Sequence, residues 1–240
     1  MDNALYYLAV NRQMGLSAEM DLVANNIANL DTSGFRREGV AFTEFVLSAE
    51  GGERVSMADL AARYASELPG GLAMTGGIFD VAIEGDGYFL IDTGETLLLT
   101  RSGAFQVSQN GVLTTPSGDE VLDVGQAPIP IPPDASDVVI GKDGTLSING
   151  EPVAQLAVVN APRELISRFG DTAFEVQDDA FEQVVNPRIQ QGALELSNVN
   201  AVTELARMIE VTRAYETAQS LVQDEDDRIR NAIQTLGQTS

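Results

Sequence analysis

The sequence predicts an α+β protein in which long N- and C-terminal helices form a coiled-coil-like stalk and a mainly antiparallel β domain is inserted between them. Near both ends, apolar residues recur at alternating steps of three and four, which is the period of one helix face. Between the ends, short apolar runs alternate with Asp-Gly and Asn-Gly dipeptides typical of hairpin turns. We divide the chain into an N-terminal helix and turn (1–45), a connector (46–77), a β domain (78–197) and a C-terminal helix (198–240).

The composition excludes several kinds of chemistry. The chain has 36 acidic and 14 basic residues, and its formal charge of −22 disfavours binding to nucleic acid or to anionic lipid. It has no cysteine and no histidine, which excludes thiolate nucleophiles, disulfides, a Ser-His-Asp triad and histidine-ligated zinc. No apolar run approaches the roughly 20 residues of a membrane-spanning helix. We therefore expect no cofactor, no metal, no nucleic acid and no membrane insertion.

The N-terminal helix is predicted to begin near Asp2 or Asn3, either of which can cap it. It should end around residues 31–34, where Gly34 can take the left-handed conformation that follows a helix end. Its apolar face consists of Tyr6, Ala9, Gln13, Leu16, Met20, Val23, Ile27 and Leu30, with Gln13 as the polar exception. Polar residues at 11–13 interrupt the first apolar run, so this segment does not resemble a cleaved secretory signal.

Three asparagines lie close together near the end of this helix. Asn25, Asn26 and Asn29 are poor helix formers and occupy two turns beside the apolar face. One interpretation is a fraying helix end with solvated amides. The other is that the amides are buried against a neighbouring helix or backbone and set its register, as a polar residue does in a coiled coil.

The middle of the chain changes from a connector to strands and turns. The connector has no sustained period, and we expect it to be extended, with a short helical turn around 56–64. Beyond it, hairpins are expected at Asp86-Gly87, Asn110-Gly111, Asp143-Gly144 and Asn149-Gly150. Prolines at 128, 130, 132 and 133 exclude a central strand there, and residues 163–169 are consistent with a short helix. The stretch 84–87 fits a turn better than a calcium loop, because no twelve-residue ligand pattern follows.

The helical period returns from 202 to 236. The predicted face consists of Leu205, Met208, Thr212, Tyr215, Gln219, Val222, Asp226, Ile229, Ile233 and Leu236. Two such helices can pair with each other, but a two-helix pair still exposes apolar surface. Assembly with other copies or related chains would cover that surface. The alternative is that both helices pack on the β domain within one monomer.

The chain resembles the flagellar rod and hook family of axial proteins at three motifs, which occur in the family's order. The first is Ala-Asn-Asn-Ile-Ala-Asn at 24–29 followed by Thr-Ser-Gly-Phe-Arg at 32–36. The second is Thr-Gly at 75–76 with Phe-Asp-Val-Ala-Ile-Glu-Gly-Asp-Gly-Tyr-Phe at 79–89 and Thr-Arg-Ser-Gly-Ala-Phe at 100–105. The third is Gly-Ala-Leu-Glu-Leu-Ser-Asn-Val-Asn at 192–200, followed by Met-Ile at 208–209 and Arg-Ala-Tyr-Glu at 213–216.

The resemblance implies a non-enzymatic subunit of the proximal rod, exported without a cleaved signal peptide and placed in the periplasm-spanning basal body. Its partners would be copies of itself, other rod subunits and the flagellar export apparatus. The expected assembly residues are Leu16, Met20, Val23, Asn25, Asn26, Ile27, Asn29, Leu30, Gly34, Phe35, Leu205, Met208, Ile209, Tyr215, Val222, Ile229 and Ile233. Two alternatives remain: a distal rod or hook-like subunit, and a carboxylate-dependent cell-wall hydrolase, since distant carboxylate pairs leave no sequence pattern.

Overall fold

The computed structural model describes residues 2–48, 54–177 and 180–237 and divides the chain into two compact units. The first, which we call the helical unit, comprises Met1–Ala28, Glu38–Tyr64 and Asn200–Ser240. The second, the β unit, comprises Asn29–Arg37 and Ala65–Val199. The predicted α+β character is confirmed, with two helices and mainly antiparallel sheets.

The helical unit contains both helices and one two-stranded sheet. Helix α1 spans Asp2–Ala28 and α2 spans Ala201–Gly237. Strands β1 (Glu38–Ser48) and β2 (Arg54–Ala65) pair with each other. Asn200 caps α2, since its side-chain oxygen accepts a 3.1 Å hydrogen bond from the backbone N–H of Thr203.

The β unit consists of short strands in four sheets. Its strands are β3 (Leu72–Met74), β4 (Val81–Ile83), β5 (Tyr88–Asp92), β6 (Leu97–Thr100), β7 (Gln106–Val107), β8 (Leu113–Thr114), β9 (Glu120–Val121), β10 (Val138–Ile140), β11 (Thr145–Ile148), β12 (Glu151–Gln155), β13 (Val158–Asn160), β14 (Ile166–Phe169), β15 (Ala173–Val176), β16 (Glu182–Gln183), β17 (Ile189–Gln191) and β18 (Ala193–Glu195). The largest sheet follows the order β14-β15-β6-β5-β9-β8-β7, and β13 joins β5 to β16. The smaller sheets are β10-β11-β12, β17-β4 and β18-β3.

Strand β5 separates two apolar clusters of the β unit. Successive side chains on a strand point to opposite faces, so Phe89 and Ile91 enter one cluster and Leu90 enters the other. The first cluster also contains Leu113 and Leu146, both fully buried. Because both faces of β5 are covered, this strand is a continuous apolar run and does not alternate.

Three of the four predicted hairpins are confirmed. The turns at 110–111, 143–144 and 149–150 join β7 to β8, β10 to β11 and β11 to β12, each an antiparallel pair. The predicted hairpin at Asp86-Gly87 is wrong, because β4 and β5 do not pair with each other. Strand β4 pairs with β17, and β5 pairs with β6, β9 and β13. The turn therefore carries the chain from one sheet to another. The proline segment holds no strand among the described residues and makes only isolated bridges.

Two predicted helical segments are strands. Residues 56–64 lie in β2, and only 163–165 of the segment 163–169 is helical, as a single 3-10 turn before β14. Backbone pairing explains the second case, since Ile166 to Phe169 match Val176 to Ala173 in register. Helix α1 also ends at Ala28, earlier than the predicted 31–34, although Gly34 has the expected positive φ of 71°.

Candidate functional site

The two terminal helices pack against each other within the helical unit. Ala9, Leu22 and Val23 of α1 are buried, as are Val211 and Ala218 of α2. Contacts with polar side chains show the direction of packing. Glu19 bonds to Arg207 at 2.7 Å and Asn26 bonds to Glu204 at 3.2 Å, so the sequence number rises along α1 as it falls along α2. The helices are therefore antiparallel.

The Glu19–Arg207 ion pair fixes one level of this helix pair. Burial alone lowers the pKa of Arg207, but the carboxylates of Glu19 and Glu210 outweigh burial and raise that pKa above its ordinary value. Arg207 is thus a cation at any accessible pH. Glu19 is buried, so removing Arg207 would leave a buried carboxylate without this counterion.

The buried face of α2 is not quite the predicted one: it runs through Glu204, one residue before the predicted Leu205. Glu204, Val211 and Ala218 are buried at intervals of seven. Of the predicted residues, Met208, Tyr215 and Val222 are half-buried beside this line, whereas Leu205 and Ile209 are 53% and 54% exposed. The side chains of Ile229 and Ile233 lie outside the described residues. Val202, which was not predicted, is 77% exposed next to Leu205 and Ile209.

The predicted residues of α1 fall partly on the packed face. Val23 is buried, while Leu16, Met20 and Ile27 are half-buried. Leu30 follows the helix and is half-buried in the β unit. On both helices, apolar side chains thus extend beyond the surface that the partner helix covers.

Asn26 is fully buried, with 0% exposure, and connects three elements of the helical unit. Its amide nitrogen donates to the backbone carbonyl of Glu38 at 2.9 Å and to the Glu204 carboxylate at 3.2 Å. Its amide oxygen accepts from the backbone N–H of Glu38 at 2.9 Å. Asn26 therefore pairs with the first residue of β1 as a neighbouring strand would, and it ties that residue to α2. Asn29 is buried and accepts a 3.0 Å hydrogen bond from the Thr32 hydroxyl, while Asn25 is half-buried.

The Gly34-Phe35 turn lies inside the β unit. Gly34 has φ of 71°, and a Cβ there would lie 2.2 Å from the backbone nitrogen of Ser102, so only glycine fits. The ring of Phe35 is buried, and the guanidinium of Arg168 stacks 4.7 Å from its centroid. The same guanidinium lies 5.1 Å from the ring of Phe174. The turn is thereby held against β14 and β15.

Glu195 brings the three sequence motifs together through a buried ion cluster. Its carboxylate accepts from Arg36 at 2.9 Å and from Arg101 at 3.3 Å, and its exposure is 2%. Arg36, Arg101 and Glu195 come from the first, second and third motif respectively. Together with Asn198, which accepts from the backbone N–H of Arg37 at 2.6 Å, they form what we call the Glu195 cluster.

Burial and the neighbouring carboxylate act in opposite directions on the pKa of Arg101. Burial lowers the pKa of Arg101, and the Glu195 carboxylate only partly restores it. Arg36, Arg101 and Glu195 all lie within the three sequence motifs, but the sequence alone predicted no role for them. The available signal was charged side chains inside segments otherwise rich in small and apolar residues.

Two kinds of site were sought among the described residues, a metal-binding cluster and a membrane-spanning helix. Within them, no group of three or more acidic, histidine or cysteine side chains is arranged to hold a metal ion. None of the described helices has both the length and the apolar character needed to cross a bilayer. The features that remain are contacts: the helix pair with its uncovered apolar side chains, Asn26 and the Glu195 cluster.

Comparison with known proteins gives these features a family. Three family models match the chain: "Flagella basal body rod protein" over residues 7–36, "Flagellar hook protein FlgE/F/G D1 domain" over 82–148, and "Flagellar basal body rod FlgEFG protein C-terminal" over 190–235. The flagellar basal-body rod protein FlgF of Mesorhizobium japonicum is 39% identical over 98% of both chains. The chain belongs to the flagellar basal-body rod protein family.

Within the rod family the similarity to FlgF is the stronger one. FlgF of Rhizobium meliloti is 36% identical over 96% of this chain and 97% of its own length. The rod protein FlgG of Bacillus subtilis is 27% identical over 95% of this chain and 97% of its own. The predicted resemblance is confirmed, and none of these proteins is named as a hydrolase. The helix pair falls in the first and third matched regions, which also contain Arg36 and Glu195.

Proposed function

We propose that the chain is a structural, non-enzymatic subunit of the bacterial flagellar basal-body rod and that it lies in the proximal section. The terminal helices would line the inner tube as a coiled-coil-like stalk, and the assembled shaft would transmit torque from motor to hook. The partners would be copies of this chain and other rod subunits. Delivery would use the flagellar export apparatus without a cleaved signal, which would place the chain in the periplasm-spanning rod.

The uncovered apolar face of α2 supports this proposal best. Val202, Leu205 and Ile209 occupy steps of three and four and are 77%, 53% and 54% exposed. The burial of one such side chain is worth about 1.5–3 kcal/mol, and a helical assembly repeats the contact at every subunit. The half-buried Leu16, Met20 and Ile27 extend the apolar surface on α1. The acidic charge disfavours polyanionic partners but permits an apolar contact between protein subunits.

The inter-subunit roles of the asparagines and of the Gly34-Phe35 turn belong to the same proposal. Asn26 already has partners within the chain, so its contribution to assembly would be to hold α1 and α2 in one register for the neighbour. Asn25 is half-buried near the end of α1 and would contact the neighbour directly. Asn29 follows the helix, is buried and accepts from Thr32, so it would hold the backbone that leaves α1. Gly34 and Phe35 would fix the direction in which the chain leaves α1.

An Ile209→Asp substitution tests this function. The matched control is Ser220→Asp, because Ser220 is exposed on almost the same face of α2 but is polar. In a strain that lacks the native chain, we expect Ile209→Asp to abolish rod assembly and Ser220→Asp to permit it, as judged by electron microscopy of purified basal bodies. Both purified variants should keep the native far-ultraviolet circular dichroism. Normal rods containing the Ile209→Asp chain would refute the proposal.

A distal rod or hook-like position is the second candidate, because FlgG of Bacillus subtilis also matches along nearly its whole length. Density for this chain in a map of the intact basal body decides between the two. Placement at the motor end of the rod supports the proximal assignment, whereas placement next to the hook supports the alternative.

A further inference from the structure

The chain passes between the two units at four points, and members of the Glu195 cluster lie beside two of them along the sequence. The crossings follow Ala28, Arg37, Tyr64 and Val199. On the side of the β unit, the neighbouring segments are 34–37, 66–71 and 195–198. Each of these segments is bonded to the other two inside the β unit.

Glu195 makes three of these bonds. Its carboxylate accepts from Arg36 at 2.9 Å and from the backbone N–H of Gly70 at 3.0 Å, and its carbonyl accepts from the N–H of Gly34 at 2.8 Å. The other carboxylate oxygen binds Arg101, whose guanidinium also donates to the carbonyl of Gly85 at 2.8 Å. Glu195 therefore connects the segments near the crossings to the interior of the β unit.

Asn198 adds a second level of connection. It accepts from the N–H of Arg37 at 2.6 Å and donates to the carbonyl of Leu68 at 2.6 Å. Arg37 in turn accepts at its carbonyl from the N–H of Ser66 at 2.7 Å. The close packing leaves no room for larger residues, since a Cβ at Gly70 would lie 1.7 Å from the carbonyl oxygen of Leu196.

We propose that the Glu195 cluster is a mechanical clamp, which prevents segments 34–37, 66–71 and 195–198 from peeling off the β unit when the helices are pulled. Tension on α2 is carried directly into segment 195–198 of the β unit, because the polypeptide is continuous at 199. The clamp distributes that tension over several charge-assisted hydrogen bonds that have to break together. The biological need for the clamp rests on the proposed rod function, but its mechanics do not.

Single-molecule pulling on the purified full chain tests the clamp. The chain has no cysteine, so two introduced cysteines give unique handles. The first handle pair, Ser117→Cys with Ser220→Cys, pulls through the segment at 195–199. The second pair, Ser117→Cys with Glu151→Cys, pulls only within the β unit, and all three positions are exposed. Each pair is combined with Glu195→Gln, with the milder Asn198→Ala, and with Leu196→Ala as a control in the same segment.

We expect path-dependent weakening. At constant force along the first path, Glu195→Gln should shorten the lifetime of the β unit at least tenfold. The reason is that removing one partner of a buried ion pair leaves the other charge buried and uncompensated. Asn198→Ala should shorten it less, and Leu196→Ala should leave it unchanged. Along the second path, the lifetime should stay close to that of the native chain. Equal weakening along both paths would mean that the cluster serves only general stability and would overturn the proposal. If Glu195→Gln fails to fold, the same comparison with Asn198→Ala decides.

Discussion

Glycine can be required at a position for two reasons: a left-handed backbone, or a neighbouring atom so close that no Cβ fits. Replacing Gly34 by alanine, with a matched control, separates these two reasons. Gly34 has φ of 71°, and an added Cβ would lie 2.2 Å from the Ser102 nitrogen and 2.5 Å from the Arg101 carbonyl carbon. Gly76 is a matched control, because its φ is 74° but no atom lies within 4 Å of an added Cβ. The two positions share a left-handed backbone and differ in the close approach.

The expected magnitudes follow from these distances. A left-handed alanine costs about 1–2 kcal/mol, and the lower entropy of the unfolded chain returns about 0.4–1 kcal/mol, so Gly76→Ala should cost roughly 1 kcal/mol. Gly34→Ala adds an overlap with backbone atoms, which cannot rotate away as a side chain can. Overpacking of this kind costs about 1–3 kcal/mol, which brings the expected total to roughly 2–4 kcal/mol.

Urea unfolding followed by far-ultraviolet circular dichroism measures both variants. We expect the midpoint for Gly34→Ala to fall well below that for Gly76→Ala, with the two slopes unchanged. If the two variants lose the same free energy of unfolding, the contact with Ser102 does not constrain Gly34. The argument from close approach would then be wrong.

Three further predictions concern other parts of the fold. Asn26→Ala should lower the stability of the helical unit by about 2–4 kcal/mol, because its buried partners lose their hydrogen bonds. The control Ser17→Ala, at an exposed position of α1, should change that stability by less than about 0.5 kcal/mol. Hydrogen exchange of peptides from α1 measures both effects. Leu146→Ala should cost about 2–5 kcal/mol in urea unfolding and the exposed Val139→Ala much less, and equal losses would contradict the assigned core. The pKa of Asp143 should lie below 3.8 in an NMR titration, because the carboxylate accepts hydrogen bonds from the N–H and hydroxyl of Thr145. A depressed folded pKa means that the stabilisation from Asp143 is present above the unfolded pKa and is lost as the pH falls through the folded one; an unshifted value would contradict those bonds.

The period of α2 was predictable, but its orientation was not. Met208, Tyr215 and Val222 recur every seven residues and belong to both possible lines, with Leu205 on one side and Glu204 on the other. Hydrophobicity favours the line through Leu205. The structure buries Glu204 instead, because the Asn26 amide donates to its carboxylate. A buried charge with a partner 178 residues away leaves no periodic signal in the sequence.

Turn chemistry predicted local strand pairing well and distant pairing poorly. The Asn-Gly turn at 149–150 specifies its own hairpin, since both residues have positive φ. The Asp-Gly dipeptide at 86–87 is also typical of a hairpin turn, yet the strands on either side pair with other strands. Residues 56–64 were similarly ambiguous, because their pairing with β1 outweighs the helix propensity of an alanine-rich segment.

The Glu195 cluster lay beyond sequence reasoning for a related reason. Each of its charged members stands in a separate motif, and Arg101 and Glu195 are 94 positions apart. Within any one motif, nothing marks the charged residue as buried. Only the fold shows that the two arginines share one carboxylate in a buried place.

The two partners of Asn26 also imply an order of folding. Its bonds to Glu38 close a loop of 12 residues, whereas its bond to Glu204 closes one of 178. The longer loop costs about 2.4 kcal/mol more in chain entropy by the logarithmic scaling, so the contact with Glu38 is expected to form first. The end of α1 and the start of β1 would then form a local nucleus, with one hydrogen of the amide still bound to water. When α2 packs on this nucleus, the Glu204 carboxylate replaces that water. Docking of the C-terminal helix is therefore a late folding step, onto an N-terminal segment that is already structured.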